Sequence, residues 1–123
     1  MIAVIQRVSQ ATLHIDGTLQ ASIQQGFMVL LGIHVDDTAE DVAYLAGKIA
    51  GLRVFSDEEG KMNVDLQAIN GELLLVSQFT LYANTKKGNR PSFLESARPE
   101  QAIPLYELLI STLSEKLGKK IKD

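Results

Sequence analysis

Leu73-Leu74-Leu75-Val76-Ser77-Gln78-Phe79-Thr80-Leu81 is the stretch on which the reading of this chain turns. It lies within Glu72 to Tyr82, the most strand-like segment present. Its four consecutive apolar residues describe a strand covered on both faces, as in the middle of a sheet. Three polar side chains then interrupt it. With a period of two, Ser77 falls on the face of Leu75 and Phe79, and Gln78 and Thr80 on the face of Leu74 and Val76. Burying such groups unpartnered costs roughly 1–3 kcal/mol each, so they are either satisfied internally or exposed at a strand end as the floor of a pocket. In the pocket reading, Thr80 or Ser77 is a nucleophile or orienting hydroxyl and Gln78 holds a carbonyl. A hydroxyl nucleophile needs a base within hydrogen-bond reach, and no neighbour in the stretch supplies one. Chemistry here would rest on backbone donors to an oxyanion, or on a group carried by the substrate, rather than on a side-chain triad.

Downstream, Ala83 to Pro99 is a polar loop in which Lys86, Lys87, Arg90 and Arg98 face one acid, Glu95, for a local charge of +3. As a solvated loop it needs no further role. As a functional element, Lys86, Lys87 and Arg90 beside a pocket suit the phosphates of a nucleotide or RNA end, with salt-sensitive binding as the consequence. A helical stripe follows in Leu105, Leu108, Leu109, Thr112, Leu113 and Leu117, with Pro104 near its start and Gly118 as its stop. The tail Lys119 to Asp123 ends the chain.

Upstream, the pattern is of strands. Met1 to Val8 is a short apolar burst. Ala11, Leu13 and Ile15, then Leu19, Ala21 and Ile23, alternate about Asp16-Gly17, the signature of a hairpin. Phe27 to Val35 is apolar on both faces apart from Gly32 and His34, as in a central strand. Asp36, Asp37 and Thr38 offer helix caps, Glu40 and Asp41 sit where a helix dipole favours acids, and Val42, Leu45, Ala46, Ile49 and Leu52 recur at helical spacing. Arg53 to Ser56 and Met62 to Leu66 read as short strands around an Asp57 to Gly60 turn, and Asn70-Gly71 is a second turn. Strands in hairpins, with two helices set apart by strands, predict an α+β domain: an antiparallel or mixed sheet with two covering helices.

The 123 residues are 46% hydrophobic, 6% aromatic and 22% charged, within the usual size of one domain. Such a chain buries roughly two thirds of its unfolded surface and needs no metal or disulfide to fold. The absence of cysteine excludes thiol catalysis and zinc-thiolate or iron–sulfur sites. A net charge of −3 argues against a coat protein held on nucleic acid by bulk charge, while leaving room for a local basic patch. Met1 to Ile5 is too short for a signal peptide or membrane span, which predicts a soluble, cytoplasmic protein. No P-loop, Gly-x-Ser-x-Gly elbow, His-Glu-x-x-His pair or EF-hand is present. Asp57-Glu58-Glu59-Gly60 has the wrong oxygen spacing for calcium and reads as an acidic turn. His14 and His34 lie on strands without a second histidine nearby and read as packed or rim residues. Neither a metal nor a cofactor is implied.

On Ser77-Gln78-Phe79-Thr80-Leu81, supported by Ile5-Gln6-Arg7-Val8, Gly60-Lys61-Met62-Asn63 and Arg90-Pro91-Ser92-Phe93, the chain from Met1 to about residue 118 resembles the D-aminoacyl-tRNA deacylases of the D-Tyr-tRNA deacylase family. The resemblance implies that family's fold and a homodimer, with a β-barrel-like assembly and active sites at the subunit interface. It implies hydrolysis of the ester joining a D-amino acid to the terminal ribose at the tRNA 3′ end, and deacylation of glycine mischarged onto alanine tRNA. Ser77, Gln78, Phe79 and Thr80 would line the catalytic pocket. One view of the family makes Thr80 the nucleophile; another has the ribose hydroxyl help activate water while the protein contributes backbone contacts, and the missing base favours the second. Arg7 resembles the arginine that steadies the family's second motif and joins Lys86, Lys87 and Arg90 in the substrate-binding set.

That second motif is where the sequence departs. Family members carry, near the carboxyl end, an Asn-x-Gly-Pro element with a cis Gly-Pro bond, which enters the partner's active site and rejects L-amino acids. Here Pro91, Pro99 and Pro104 follow Arg90, Arg98 and Ile103, and no Gly-Pro occurs. A cis X-Pro bond is a rigid device for presenting backbone oxygens, and rejecting one enantiomer depends on such an obstacle. The expectation is a single deacylase domain, residues 1–123, truncated at its carboxyl end, with impaired activity or poor chiral discrimination and an unpaired sheet edge where terminal strands belong. Two other readings stay open: a catalytically impaired nucleic-acid-binding dimer that retains the scaffold, and a small-molecule esterase using Thr80, which the missing base disfavours.

Overall fold

Asp16-Gly17 is a tight turn because both residues adopt the left-handed conformation, with φ of 51° and 79°, the geometry that matches the twist of a two-residue hairpin. It joins β2 (Ala11–Ile15) to β3 (Thr18–Ile23) as an antiparallel pair. In the computed structural model, which describes residues 1–123, this hairpin follows β1 (Ile2–Val8) and precedes β4 (Gly26–Gly32). Next come α1 (Ala39–Gly51), the short antiparallel pair β5 (Phe55–Ser56) and β6 (Met62–Val64), β7 (Glu72–Ser77) and α2 (Pro99–Leu117).

The main sheet has the order β1-β4-β7. β1 runs antiparallel to β4, with Ala3 opposite Leu31 and Arg7 opposite Phe27. β7 runs parallel to β4, with Leu73 beside Phe27 and Ser77 beside Leu31. The sheet is therefore mixed and β4 is central, as its two-faced apolar pattern requires. Gly26 is where β4 and β7 come closest: a Cβ there would run into the carbonyl oxygen of Glu72, so only glycine fits.

Phe27, Val29 and Leu31 of β4, with Leu73 and Leu75 of β7, are buried in one core with Val42, Ala46 and Ile49 of α1 and Leu109, Leu113 and Leu117 of α2. Both helices thus cover one sheet face, as the two stripes predict. Thr38 caps α1 through a reciprocal arrangement in which its hydroxyl accepts from the Glu40 amide (3.3 Å) and the Asp41 carboxylate accepts from the Thr38 amide (2.8 Å). Just before it, the buried carboxylate of Asp37 accepts from the Met1 ammonium group (2.9 Å) and the His34 amide (2.7 Å), tying the start of β1 to the entry of α1.

Four expectations need correction. The Glu72 to Tyr82 strand stops at Ser77, and Phe79–Tyr82 is a 3₁₀ turn; the last ladder-like bond is Gln78 N–H to Leu31 C=O (2.7 Å). Gly32 permits the chain to fold over β4 there, since a Cβ on it would lie 3.0 Å from the Leu81 Cβ. The central strand ends at Gly32 rather than Val35, because residues 33–35 pair instead with 95–97: Ala97 N–H donates to Ile33 C=O (2.8 Å) and Val35 N–H to Glu95 C=O (3.0 Å). The second helix begins at Pro99 and holds Pro104 inside it. Pro99 is the preorganised first residue, while Pro104 removes only one bond, to an exposed carbonyl in the opening turns. Finally, the tail does not leave the outer edge of β7 bare. Ile121 is buried, and Lys122 exchanges two hydrogen bonds with that edge, from its amide to Leu73 C=O (3.0 Å) and from the Leu75 amide to its carbonyl (2.8 Å).

Candidate active site

The end of β7 opens into an apolar groove. Ser77 and Phe79, from the strand end and the first residue of the turn, are both exposed and both line it. The opposite face keeps the half-buried Gln78 and Thr80, where the Gln78 Nε2 donates to the Thr80 hydroxyl oxygen. Of the four residues expected to line a pocket, the groove thus takes Ser77 and Phe79, while the side chains of Gln78 and Thr80 bond each other instead. This contact also bears on reactivity. A neutral carboxamide takes no proton in either orientation, so Gln78 cannot serve Thr80 as a base.

The turn offers another kind of donor. Its first closure is from the Leu81 amide to Gln78 C=O (3.2 Å), so the amides of Phe79 and Thr80 precede any intraturn acceptor, as the first donors of a helical turn do. Backbone donors of this type stabilise an oxyanion without needing to titrate. Tyr82 closes the turn; burial, then the negative charges of Asp37, Glu95 and Asp41, raises its phenol above the ordinary value of 10.0 and keeps it neutral. It meets His34 edge-on at 5.2 Å between ring centres. His34 Nδ1 accepts from the Asp36 amide (3.0 Å), the rim role expected of it. No cluster of three metal-ligating side chains forms.

The groove measures about 770 Å³ and is lined by two segments that run side by side, a first wall of Leu31, Ile33 and Val35 and a second wall of Phe93, Leu94, Ser96, Ala97, Arg98, Pro99, Ala102 and Ile103. Phe79 and Phe93 meet edge to face at 5.4 Å. The second wall is what sequence reasoning missed. It is assembled by the pairing of residues 33–35 with 95–97, and the usable signal was weak: an apolar Phe93-Leu94 within a polar loop, followed by a proline at a helix start.

Lys86, Lys87 and Arg90 are exposed on a loop pinched at its base by reciprocal bonds between Asn84 and Ser92 (2.8 and 2.9 Å). Phe93, which follows this loop, lines the groove, whereas Lys86, Lys87 and Arg90 do not. Arg7 is not brought to it within one chain. It lies opposite Phe27, four strand positions from Ala3, about 13 Å at the strand rise, and its Nη1 donates to Val54 C=O (2.6 Å).

Residues 4–123 match the family described as D-Tyr-tRNA(Tyr) deacylase. The D-aminoacyl-tRNA deacylase of Cytophaga hutchinsonii is 62% identical over 99% of this chain and 81% of its own length; that of Flavobacterium johnsoniae is 49% identical over the same shares. Among solved structures, a protein titled c-Myc DNA unwinding element binding protein superposes with a TM-score of 0.89 at 36% identity, over 98% of this chain and 82% of that one. A probable eukaryotic D-amino acid tRNA deacylase shares the fold with a TM-score of 0.80 at 19% identity, over 94% and 68%. A strand end with unclosed amides at an apolar groove, and a match along nearly all of the sequence, lead to one conclusion: the chain belongs to the D-Tyr-tRNA(Tyr) deacylase family.

Proposed function

We propose that residues 1–123 form the catalytic domain of an editing hydrolase that cleaves the ester between a D-amino acid and the terminal ribose of tRNA. The observation that carries this reading is the 62% identity to a D-aminoacyl-tRNA deacylase over 99% of the chain. In the reaction, a water oxygen adds to the ester carbonyl carbon, the bond from that carbon to the ribose oxygen breaks, and the ribose oxygen takes up a proton. Free D-amino acid and tRNA leave. The Phe79 and Thr80 amides are the donors for the oxyanion, the neighbouring ribose hydroxyl assists the water, Ser77 shapes the pocket, and the side-chain contact between Gln78 and Thr80 braces the turn. Phe79 and Phe93 suit the planar base of the terminal nucleotide, and Lys86, Lys87 and Arg90 the phosphates behind it. Arg7 serves the active site of the other subunit of a homodimer.

Glycine mischarged onto alanine tRNA is also a substrate in this reading, because an obstacle that rejects an L side chain has nothing to reject in glycine. The enzyme works in the cytoplasm, where charged tRNA is used. A non-catalytic nucleic-acid-binding dimer has less support: the relative titled for DNA binding is 36% identical, the deacylase 62%.

The test is deacylation of D- and L-tyrosyl-tRNA by this chain and by the same chain extended with a family-type Asn-x-Gly-Pro segment. Both are expected to release D-tyrosine faster than buffer, with stronger sparing of the L-ester by the extended chain. Failure of both to accelerate release of D-tyrosine would overturn the reading.

A further inference from the structure

Gln101, on the first turns of α2, does not line the groove, yet its carboxamide bonds the turn that carries Val35, which does. Its Nε2 donates to Val35 C=O at 2.7 Å, with His34 C=O at 3.5 Å and Asp37 C=O at 3.4 Å also within reach. All three neighbours are carbonyl oxygens, so the NH₂ end of the amide must face them. Both ends of this contact adjoin residues that line the groove: Val35 at one end, and at the other Ala102 and Ile103, the residues that follow Gln101.

The backbone pairing of residues 33–35 with 95–97 stops at Val35 N–H. Beyond it, the turn from 34 to 37 is joined to α2 only through Gln101 among the hydrogen bonds, and this same turn leads into the Asp37 carboxylate that holds Met1 and the His34 amide. We propose that Gln101 is a positioning residue that sets the width of the groove by stapling the 34–37 turn to α2, and so determines how tightly the nucleoside end of the substrate is held. The proposal rests on the deacylase reading for the identity of that substrate. Groove width acts on substrate and transition state alike, because the reacting ester lies at the Ser77 to Thr80 end and not at the staple. Loss of the staple therefore raises KM and leaves kcat nearly unchanged.

Three variants test it in steady-state deacylation of D-tyrosyl-tRNA. Gln101→Met keeps the length and removes the donors; Gln101→Arg keeps donors; Gln101→Glu points a carboxylate at carbonyl oxygens. The expected result is KM raised about 5–10-fold in Gln101→Met, the loss of roughly one hydrogen bond, with kcat within about twofold. Gln101→Arg stays near wild type and Gln101→Glu is the worst of the three in KM. An unchanged KM in Gln101→Met, or a loss confined to kcat that Gln101→Arg does not restore, overturns the proposal. Should Gln101→Met fail to fold, the comparison of Arg with Glu decides: equal KM values for these two also overturn it. The same variants are made in the Asn-x-Gly-Pro-extended chain, and absence of activity in both the wild-type chain and its extended form overturns the deacylase reading instead, so the two failures are told apart.

Discussion

At the scale of single residues, Thr80 decides between mechanisms. Its hydroxyl oxygen already accepts from the Gln78 side-chain amide, and no hydrogen bond joins it to a histidine, carboxylate or lysine. Without a base, the hydroxyl stays protonated near neutrality and attacks poorly. Thr80→Ala is therefore expected to retain kcat within about tenfold in single-turnover deacylation, whereas removing a true covalent nucleophile costs on the order of 10⁶. A drop of that larger size would restore Thr80 as nucleophile. Candidate roles for Ser77 and Thr80 were legible as alternatives from polarity in an apolar run. What the string of residues does not contain is the turn that leaves the Phe79 and Thr80 amides without acceptors, because it depends on Gly32, far away in sequence, leaving room above β4.

At the scale of elements, local signals translated into local structure wherever the partner lay within a few residues. Thr38 capped α1, Gly118 stopped α2 in the left-handed conformation with φ of 66°, and Asp57-Glu58-Glu59-Gly60 formed a turn. In that turn the Asp57 carboxylate accepts from the Glu59 and Lys61 amides (2.9 and 3.0 Å), and these bonds, Lys61's foremost, hold its pKa below the ordinary 3.8. The folded chain therefore binds that proton less readily than the unfolded chain. The stabilising contribution is fully present above the ordinary value and is lost as the pH falls through the folded one. In denaturant titrations across the acidic range, Asp57→Asn is expected to show a shallower loss of stability on acidification than wild type. Identical slopes would show that the turn contributes nothing to acid sensitivity. Where the partner was distant, the sequence misled: Val35 read as strand because it is apolar, although its hydrogen bonds go to residues next to α2.

At the scale of the whole molecule, the proposed homodimer has apolar surface available for it. Ile2 and Val4 on the edge strand β1, and Ile15 and Leu19 on the hairpin, are large hydrophobic residues left exposed, which marks an interaction face when they cluster. Sedimentation at micromolar concentration is expected to give the mass of two chains, and Val4→Lys to shift it toward one; a monomeric wild type would contradict the dimer. The matched relatives extend further than this chain, which spans 81% of their length. By itself the sequence determined the α+β class, an antiparallel or mixed sheet with β4 inside, both helices with the cap of α1 and the stop of α2, a candidate site stretch and the family. The elements are written in short-range patterns of polarity and turn residues, and the family in the resemblance carried by Ser77-Gln78-Phe79-Thr80-Leu81 and its supporting motifs. Only the tertiary structure decided that the candidate site stretch ends in a turn, that a groove lies beside it and that Gln101 ties the 34–37 turn to α2, because the turn arises where Gly32 meets Leu81 and the other two where residues near 33 meet residues near 97. A contact between positions that far apart is chosen by the packing of the sheet against α2, and no local pattern encodes it.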